Sequence, residues 1–495
     1  MYPELSCAGR RITKSSMKEA CQRLAGALDN RGVGEADIVS LMLYNSPAFV
    51  QTALACRDLG AYFCAINWHF KAQEANHILI DSGAKVLLIE PGLLEQLGDA
   101  VPPGVQVIVV DQHWEQWLAQ QPVWQPGENE PPRRPRGYIP YTSGTTGKPK
   151  GVLRVLPSIQ DAPQMQALAK DIYRQVMGFE PGIKALNSAP LYHSAPAAYM
   201  LQCAANEATL FLEPRFNARK TLELIDQERI SHAYMVPTMF HRLLDLPVAE
   251  RSQFDISSLQ FVTCTGSPCP PETKARFHAE FAPVIHESYA SSETGFITSI
   301  APEEAALKPG SVGRAIGRAR IEIRDDQNQL LGANQHGRVF VRQPATPDFD
   351  YLNRSSDRAE IETAGLVCIG DVGYLDEDDY LFLSSRSSDM VISGGVNIYP
   401  AEIEATLATM PGVRDCAVFG IPNPEFGEAL ACAVQLQEGS ILTAEQIQAF
   451  VRKHMADYKV PREIVFHEQL PREDTGKIFK RLLREPYWAN QNRSI

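Results

Sequence analysis

Hydrophobic and polar residues alternate with two different periods along the first third of the chain. Apolar residues recur at helical spacing within residues 17–30 and 48–59, and this pattern predicts two helices. Short apolar runs predict buried strands at residues 38–43, 84–89 and 105–110. Strands that alternate with helices in this way predict an α/β domain with a largely parallel sheet.

The pattern changes twice further along the chain. Residues 131–136 are rich in proline and arginine, which predicts an exposed connection, with a phosphate-binding patch as the alternative. They lead into a short predicted strand at 138–141. Residues 374–382 predict a hairpin with an acidic turn.

A smaller α+β unit follows the second change, near residue 386. It is predicted from helical spacing at 401–410 and 444–455 and from apolar runs at 417–420 and 464–467. We therefore predict a large domain over residues 1–386 and a small domain over residues 387–495.

Composition narrows the class of protein. The chain has 495 residues, 44% hydrophobic and 21% charged, which is ordinary for a globular protein. Its formal charge of −12 argues against broad nucleic-acid binding. The ten cysteines are scattered without Cys-x-x-Cys spacing, which favours reduced thiols in a cytoplasmic protein and argues against structural zinc. The sequence has no signal-peptide pattern and no apolar run near the length of about 20 residues that spans a bilayer.

One loop carries recognisable chemistry. Residues 142–151 combine hydroxyl groups, glycines and lysines directly after a predicted strand. Glycines let backbone N–H groups approach an anion, while hydroxyls and ammonium groups bind phosphate oxygens. A P-loop is excluded because Thr142 stands where its first glycine is required and a proline follows Gly147-Lys148. The predicted phosphate-binding residues are Thr142, Ser143, Gly144, Thr145, Thr146, Gly147, Lys148 and Lys150.

The stretch from Tyr141 to Gly151 resembles the signature of the adenylate-forming superfamily, which contains acyl-CoA synthetases, peptide-synthetase adenylation domains and luciferases. Four further stretches match that family in the same order over most of the chain. They are 190–194 (Pro-Leu-Tyr-His-Ser), 287–295 (Glu-Ser-Tyr-Ala-Ser-Ser-Glu-Thr-Gly), 370–374 (Gly-Asp-Val-Gly-Tyr) and 471–478 (Pro-Arg-Glu-Asp-Thr-Gly-Lys-Ile). The likeness is greatest to fatty-acid and 4-coumarate-type CoA ligases. It implies a large domain of α/β sheets with a small barrel-like part, and a small, mobile α+β domain joined by a hinge at 386–389.

The resemblance also implies roles for individual residues. Tyr289 would stack near adenine, Ser292 would bind phosphate, and Glu293 would hold Mg²⁺. His193 would lie near the acyl carboxylate and gate the thiol channel. The remaining nucleotide contacts in this region would come from Gly266, Ser267, Glu287, Ser288, Ala290 and Ser291.

Further roles fall in and beyond the last two matching stretches. Asp371 and Arg386 would bind the ribose, and Lys477 would bridge the carboxylate and the α-phosphate. The hinge residue is Ser388, where the family usually has Asp or Lys. The thiol channel would be reached by Gly394 and Gly395, and Val396 replaces the usual Glu. Neither replacement removes a reacting group.

The resemblance implies that ATP activates a carboxylic acid as an acyl-adenylate, with Mg²⁺, and that CoA then accepts the acyl group. Residues 192–199 contain no acid that would hold an amino group, so a fatty or aryl acid is favoured, with Ala197 and Ala290 lining its pocket. A carrier-protein acceptor, a luciferase-like oxygenase and a non-catalytic nucleotide-binding regulator remain alternatives. Monomer and homodimer are both open.

Overall fold

The computed structural model describes residues 1–127, 133–142, 149–267, 269–386, 389–393, 396–423, 426–472 and 476–489. Its strands are, in chain order, β1 Glu4–Cys7, β2 Arg10–Ile12, β3 Ile38–Met42, β4 Tyr62–Ala65, β5 Val86–Ile89, β6 Gln106–Val109, β7 Tyr141–Thr142, β8 Lys150–Arg154, β9 Lys184–Asn187, β10 Thr209–Leu212, β11 His232–Met235, β12 Phe261–Cys264, β13 Ile285–Ser291, β14 Gly295–Ile300, β15 Arg314–Ala315, β16 Arg320–Arg324, β17 Gly337–Arg342, β18 Phe349–Tyr351, β19 Glu362–Thr363, β20 Leu366–Val367, β21 Asp371–Leu375, β22 Leu381–Arg386, β23 Val391–Ser393, β24 Val396–Ile398, β25 Val413–Asn423, β26 Gly427–Leu436 and β27 Glu463–Phe466.

The α-helices are α1 Lys14–Asp29, α2 Pro47–Leu59, α3 Ala72–Ser82, α4 Pro91–Leu97, α5 Trp114–Ala119, α6 Ala162–Met177, α7 Ser194–Ala205, α8 Ala218–Glu228, α9 Pro237–Leu244, α10 Val248–Arg251, α11 Pro271–Glu280, α12 Pro302–Leu307, α13 Ser355–Glu360, α14 Pro400–Leu407, α15 Ala444–His454 and α16 Lys480–Trp488. Two short 3₁₀ helices lie at Gly98–Ala100 and Asp457–Lys459.

Local chemistry sets several helix ends. The side chain of Ser46 accepts a hydrogen bond from the Phe49 amide at the start of α2, and Pro47 occupies its first turn. Gly60 ends the same helix in the left-handed region, with φ of 67°. Residues on nearly every side of α2 are buried, because the helix packs within the large core rather than over it.

Two sheets with parallel strands form the large unit, as the sequence predicted. The first has the order β4-β3-β5-β6 and is parallel throughout. The second has nine strands in the order β15-β14-β13-β12-β11-β9-β10-β1-β2, and its strands from β13 to β1 are parallel. One hydrophobic core is shared by both sheets and their helices.

The predicted strand at 105–110 is present as β6, but its predicted burial is wrong. Val107 and Val109 are 38% and 41% exposed, and only Ile108 faces the core. The reason is that β6 is the edge strand of its sheet, so that one of its faces is left open to solvent.

The part predicted to be barrel-like consists of antiparallel strands. β19-β20-β17-β21-β22, with β16 beside β17, form one sheet, and β18-β8-β7 form another. The predicted hairpin at 374–382 lies within β21 and β22.

The small C-terminal unit is a five-stranded sheet, β24-β23-β26-β25 with β27 beside β26. Helices α14 and α15 cover one hydrophobic cluster and α16 covers another. All ten cysteines carry free thiols, nine of them buried, as the scattered spacing predicted. Among the described residues, no helix has the length and apolar character needed to cross a bilayer.

Candidate active site

Two of the matching stretches, 190–194 and 287–295, meet at one edge of the nine-stranded sheet. β9, β11 and β12 are parallel, so that their carboxyl ends meet at the same edge. The loop 188–193 follows β9, helix α9 follows β11, and residues 265–267 follow β12. Ligands bind at this edge in open α/β sheets.

Glu293 lies at the centre of this edge and is 8% exposed. Its Oε1 accepts hydrogen bonds from the Tyr351 hydroxyl at 3.1 Å and from the Thr142 hydroxyl at 3.4 Å. Thr142, at the start of the glycine loop, therefore contacts Glu293, the predicted magnesium ligand. The burial of Tyr351 and the charge of Glu293 raise the pKa of the Tyr351 phenol, which therefore remains a donor.

Arg154 fixes the backbone that carries Glu293. Its guanidinium donates to the carbonyl oxygens of Ser292, Glu293 (2.6 Å) and Pro347 (3.0 Å). Burial lowers the pKa of Arg154 to about 10, which still leaves the side chain charged at neutral pH. No motif marks this residue in the sequence, although an arginine at the end of an apolar strand is a detectable signal.

His193 and Ser292 are brought together at the start of α7. The Ser292 hydroxyl donates to the Ser194 hydroxyl at 3.0 Å, and Ser194 directly follows His193, the N-cap residue of α7. The ring of His193 lies 4.3 Å from that of Tyr192, between centroids. The predicted phosphate and carboxylate contacts are therefore neighbours.

Asn45 holds the loop that precedes His193. Its side-chain amide donates to the carbonyls of Ala189 (2.9 Å) and Glu213 (3.1 Å), and its oxygen accepts from the Leu191 amide at 2.9 Å. Asn45 is 1% exposed and lies just beyond β3. A residue in the connection after a strand of the first sheet thus shapes the site at the edge of the second.

Tyr289 and Asp371 form a second polar centre. The Tyr289 hydroxyl donates to Asp371 Oδ2 at 2.6 Å, and both residues are buried. Asp371 begins β21 and pairs in register with Arg386 of β22 through the backbone. The predicted adenine and ribose contacts are thereby joined.

Glu287 is a buried ion-pair partner. Its Oε2 lies 2.5 Å from the ammonium of Lys274, and its Oε1 accepts from the Cys269 amide at 3.0 Å. Burial alone would lower the pKa of Lys274, but the charge and the hydrogen bond of Glu287, with smaller contributions from Cys269 and Cys264, together raise it. Both carboxylate oxygens are engaged, and one of them holds the turn that contains Gly266 and Ser267.

The other residues of the 287–295 stretch lie around this pair. The Ser288 carbonyl accepts from the Thr265 hydroxyl at 2.8 Å, and the Ser288 hydroxyl is buried. Ser291 accepts from the Thr294 amide at 3.0 Å. Ala290 is half-buried at a register shift between β13 and β14. Gly266 has φ of +94°, which favours glycine.

Lys150 forms an ion pair with a residue outside the glycine loop. Its ammonium lies 2.6 Å from Asp357 and its side chain is only 10% exposed. Ser143, Gly144, Thr145, Thr146, Gly147 and Lys148 lie outside the described residues, as do Ser388, Gly394 and Gly395. Their predicted roles stay predictions, as do those of the side chains of Arg386 and Val396.

The proline- and arginine-rich connection is bound to the protein itself. Arg134 donates to the Pro157 carbonyl at 2.5 Å, and Arg136 donates to the Tyr62 hydroxyl at 3.0 Å and to Glu35 at 3.3 Å. These contacts favour a structural connection over a phosphate-binding patch.

Lys477 lies in the small C-terminal unit. Gly476 before it packs against Thr238 at the start of α9, and the Gly476 carbonyl accepts from Arg472 at 2.9 Å. Arg472 and Ile478 pair through the backbone, so that the loop between them is closed at its base.

This fold and site define an adenylate-forming enzyme. Residues 2–347 match the family model of AMP-binding enzymes, and residues 402–477 match that of the AMP-binding enzyme C-terminal domain. The chain therefore belongs to the AMP-binding enzyme family, and the resemblance stated from the sequence is confirmed.

Similar proteins match over nearly the whole chain. An indoleacetate–CoA ligase of Aromatoleum aromaticum is 32% identical and covers 96% of this chain and 93% of its own length. A long-chain-fatty-acid–CoA ligase, FadD13, of Mycobacterium tuberculosis is also 32% identical, over 97% of this chain and 94% of its own. The structure of the amide bond synthetase McbA of Marinactinospora thermotolerans has a TM-score of 0.85 at 25% identity, covering 98% of this chain and 96% of that one. Acid–thiol ligases of the family thus match the chain end to end, as expected from the sequence.

Proposed function

We propose that the protein activates a carboxylic acid with ATP and transfers the acyl group to CoA, releasing pyrophosphate and then AMP. The observation that carries this function is the convergence of Glu293, Ser292, His193 and the Tyr289–Asp371 pair at the carboxyl edge of the nine-stranded sheet. These groups come from stretches that match the adenylate-forming family, and acid–CoA ligases match the chain over its length.

The first step joins a carboxylate oxygen to the α-phosphorus of ATP and breaks the bond to pyrophosphate. Two anions approach each other, so that cationic groups must lie where the negative charge accumulates. Lys477 supplies an ammonium group for this purpose, on a stem long enough to reach between the carboxylate and the phosphate. Asp371 accepts from the ribose hydroxyls, and Tyr289 packs against the base while holding Asp371 in place.

Mg²⁺ fits the donor set around Glu293. One carboxylate oxygen is held by Tyr351 and Thr142, and among the described residues no hydrogen bond is found to the other. A single free carboxylate oxygen beside a triphosphate site suits this cation, which is usually bound by one or two carboxylates and substrate phosphates. When bound, Mg²⁺ would neutralise phosphate charge. Glu293 would hold it, and Arg154 fixes the backbone on which Glu293 stands.

The second step requires a thiol to attack the acyl carbon as AMP leaves. The proposed large domain covers residues 1–386 and the proposed small domain residues 387–495, with the boundary in the interval between the two family matches, which end at residue 347 and begin at residue 402. A hinge at 386–389, including Ser388, would let the small domain withdraw Lys477 and bring Gly394 and Gly395 to the thiol channel. His193 lies beside the acyl position and gates that channel.

The acid is fatty or aryl. Ala197, fully buried in α7, and Ala290, half-buried in β13, have small apolar side chains that would suit a pocket for an apolar acid. The named relatives act on indoleacetate and on long-chain fatty acids, which are acids of this character. CoA is the proposed acceptor. An amine is a second candidate because a structure of an amide bond synthetase matches the fold so closely.

The test is a pyrophosphate-release screen with ATP and Mg²⁺ over indole-3-acetate, 4-coumarate and saturated fatty acids of several lengths. Each acid is tested alone, with CoA, and with a simple primary amine, and products are identified by mass spectrometry. Acid-dependent pyrophosphate release with an acyl-CoA product is expected. Release without thioester, or an amide product, would overturn CoA as the acceptor. No release with any acid, despite measurable ATP binding, would overturn the proposed activity.

A further inference from the structure

Helix α9 presents one face to the small C-terminal unit. Thr238, His241 and Asp245, its C-cap residue, are spaced by three and four positions, so that they lie along one side of the helix. We call these three residues the α9 stripe. Each of them lies near residues of the small unit.

The first contact is between Thr238 and Gly476. A β-carbon added to Gly476 would overlap the methyl and hydroxyl groups of Thr238, so that the glycine backbone lies directly on this side chain. Gly476 has φ of +82°, in the left-handed region that favours glycine. Lys477 directly follows Gly476 in the chain. The contact of Gly476 with Thr238 therefore restricts the position of the Lys477 backbone.

The second contact is an ion pair at the other end of the helix. Arg414 Nη2 lies 3.0 Å from Asp245 Oδ2, and the two side chains are 54% and 53% exposed. Arg414 lies at the start of β25, in the small unit. The two contacts are therefore at opposite ends of α9.

His241 lies between these two contacts, and charged residues of both units affect the pKa of its imidazole. Burial lowers the pKa of His241, the carboxylates of Asp415 and Asp245 raise it, and the cations of Arg276 and Arg472 lower it. Asp415 and Arg472 belong to the small unit, so its charges reach the middle of the stripe.

Within the small unit the contacting segments are joined to each other. Arg472 donates to Asp415 Oδ2 at 2.5 Å and to the Gly476 carbonyl at 2.9 Å. The loop that carries Lys477 and the segment that carries Arg414 are thus tied by one arginine. We therefore expect a change in the Arg414 contact to affect the position of Lys477.

We propose that the α9 stripe is the docking surface that holds the small unit where Lys477 serves adenylate formation, with Thr238, Asp245 and Arg414 as positioning residues. The proposal rests on the proposed function, because it takes adenylate formation as the step that needs Lys477. Contacts made in only one domain orientation favour that orientation by their own free energy. Their loss should slow the first half-reaction and spare thioester formation from acyl-adenylate.

The test uses the full chain and the best acid from the screen. Variants R414E, D245R, the double variant D245R/R414D and T238L are compared with R452E. Arg452 is a matched control because it is 57% exposed and pairs with Asp457 inside the small unit. Pyrophosphate release measures the first half-reaction, and acyl-CoA formation from supplied acyl-adenylate measures the second.

Loss of an exposed ion pair changes the equilibrium between domain orientations by up to about fivefold. In R414E and D245R, repulsion between like charges adds to this effect. Pyrophosphate release should therefore fall about three- to tenfold in each of these variants. T238L should lose about tenfold or more, because its side chain occupies the space of Gly476. The double variant should recover to within about twofold of the wild type, since the charges attract again. Acyl-CoA formation should stay within about twofold throughout, which also shows that the variants are folded.

The proposal would be overturned if the variants lost both half-reactions equally or if no stripe variant lost pyrophosphate release. It would also be overturned if R452E lost as much as R414E. These outcomes are distinct from failure of the proposed function, in which the wild-type chain itself releases no pyrophosphate with any acid.

Discussion

The Tyr289 hydroxyl donates a hydrogen bond of 2.6 Å to Asp371, and this joins two strands that lie in different sheets. Tyr289 belongs to β13 of the nine-stranded sheet, and Asp371 begins β21 of the antiparallel sheet. The proposed nucleotide site therefore spans a junction between two sheets, and this hydrogen bond connects its two halves.

We expect Y289F to weaken ATP use selectively. The variant keeps the ring but leaves the buried Asp371 carboxylate short of one donor, and a hydrogen bond to a charged group contributes about 1.5–3 kcal/mol. The KM for ATP in pyrophosphate release should rise about tenfold or more, whereas the KM for the acid changes little. Y374F, altering a tyrosine that stacks on Phe382 in the neighbouring hairpin, is the control. A similar rise in both variants would contradict the role of this bond.

E293Q tests the magnesium site. The amide retains the size of the side chain and still accepts from Tyr351, but it loses the negative charge that a hard cation prefers. The Mg²⁺ concentration for half-maximal pyrophosphate release should increase at least about tenfold, as expected for loss of a charged ligand. An unchanged Mg²⁺ titration would rule out Glu293 as a ligand.

K477A separates the two half-reactions. Removal of one group that stabilises developing charge costs about 100- to 1000-fold in rate. We expect that loss in pyrophosphate release, while acyl-CoA formation from supplied acyl-adenylate is retained. R481A is the control, because it alters an exposed side chain of the neighbouring helix α16. K480A is less suitable, because Lys480 forms an ion pair with Glu404. Equal losses in both half-reactions would contradict the role of Lys477.

K274M should destabilise the large unit. It leaves the Glu287 carboxylate buried without its cation, which costs about 3–5 kcal/mol. The double variant K274M/E287M, without either charge, should recover much of that loss. Melting temperature and urea unfolding measure the change, and a melting temperature equal to that of the wild type would contradict it.

The same pair predicts a pH dependence. Because the folded-state pKa of Lys274 is raised, its contribution to stability is complete below the unfolded-state value of about 10.4 and is lost as the pH rises through the folded-state value. The difference in unfolding free energy between wild type and K274M should therefore be constant from about pH 7 to about pH 10 and should shrink above that. A difference that declines between pH 7 and pH 9 would contradict this assignment.

The sequence predicted the site best where parallel strands bring separate stretches together. His193, Ser292 and Glu293 were selected from distant stretches, and the structure brings Ser292 beside the residue that follows His193. Their proximity follows from the order of the strands, which the family resemblance supplies. The family and the general fold were likewise predicted and are confirmed.

Contacts that depend on the tertiary packing of distant residues could not be predicted from the sequence. Lys150 was expected to bind phosphate, yet its ammonium is paired with Asp357, which no local pattern connects to it. Arg154 donates to a backbone carbonyl 138 residues away along the chain. A backbone carbonyl partner is not indicated by any residue type in the sequence. Glu287 was selected as a nucleotide contact, whereas its carboxylate is occupied by Lys274, a helix residue that carries no motif.

Asn45 has a consequence for how acid selectivity can change. It fixes both Ala189 and Leu191, so the loop leading to His193 is held by a residue that follows strand β3 of the first sheet. Variation within residues 38–45, which match no motif and contain no reacting group, can therefore alter which acids the pocket admits. Mutant libraries meant to broaden the acid range should include this segment as well as the residues that line the pocket.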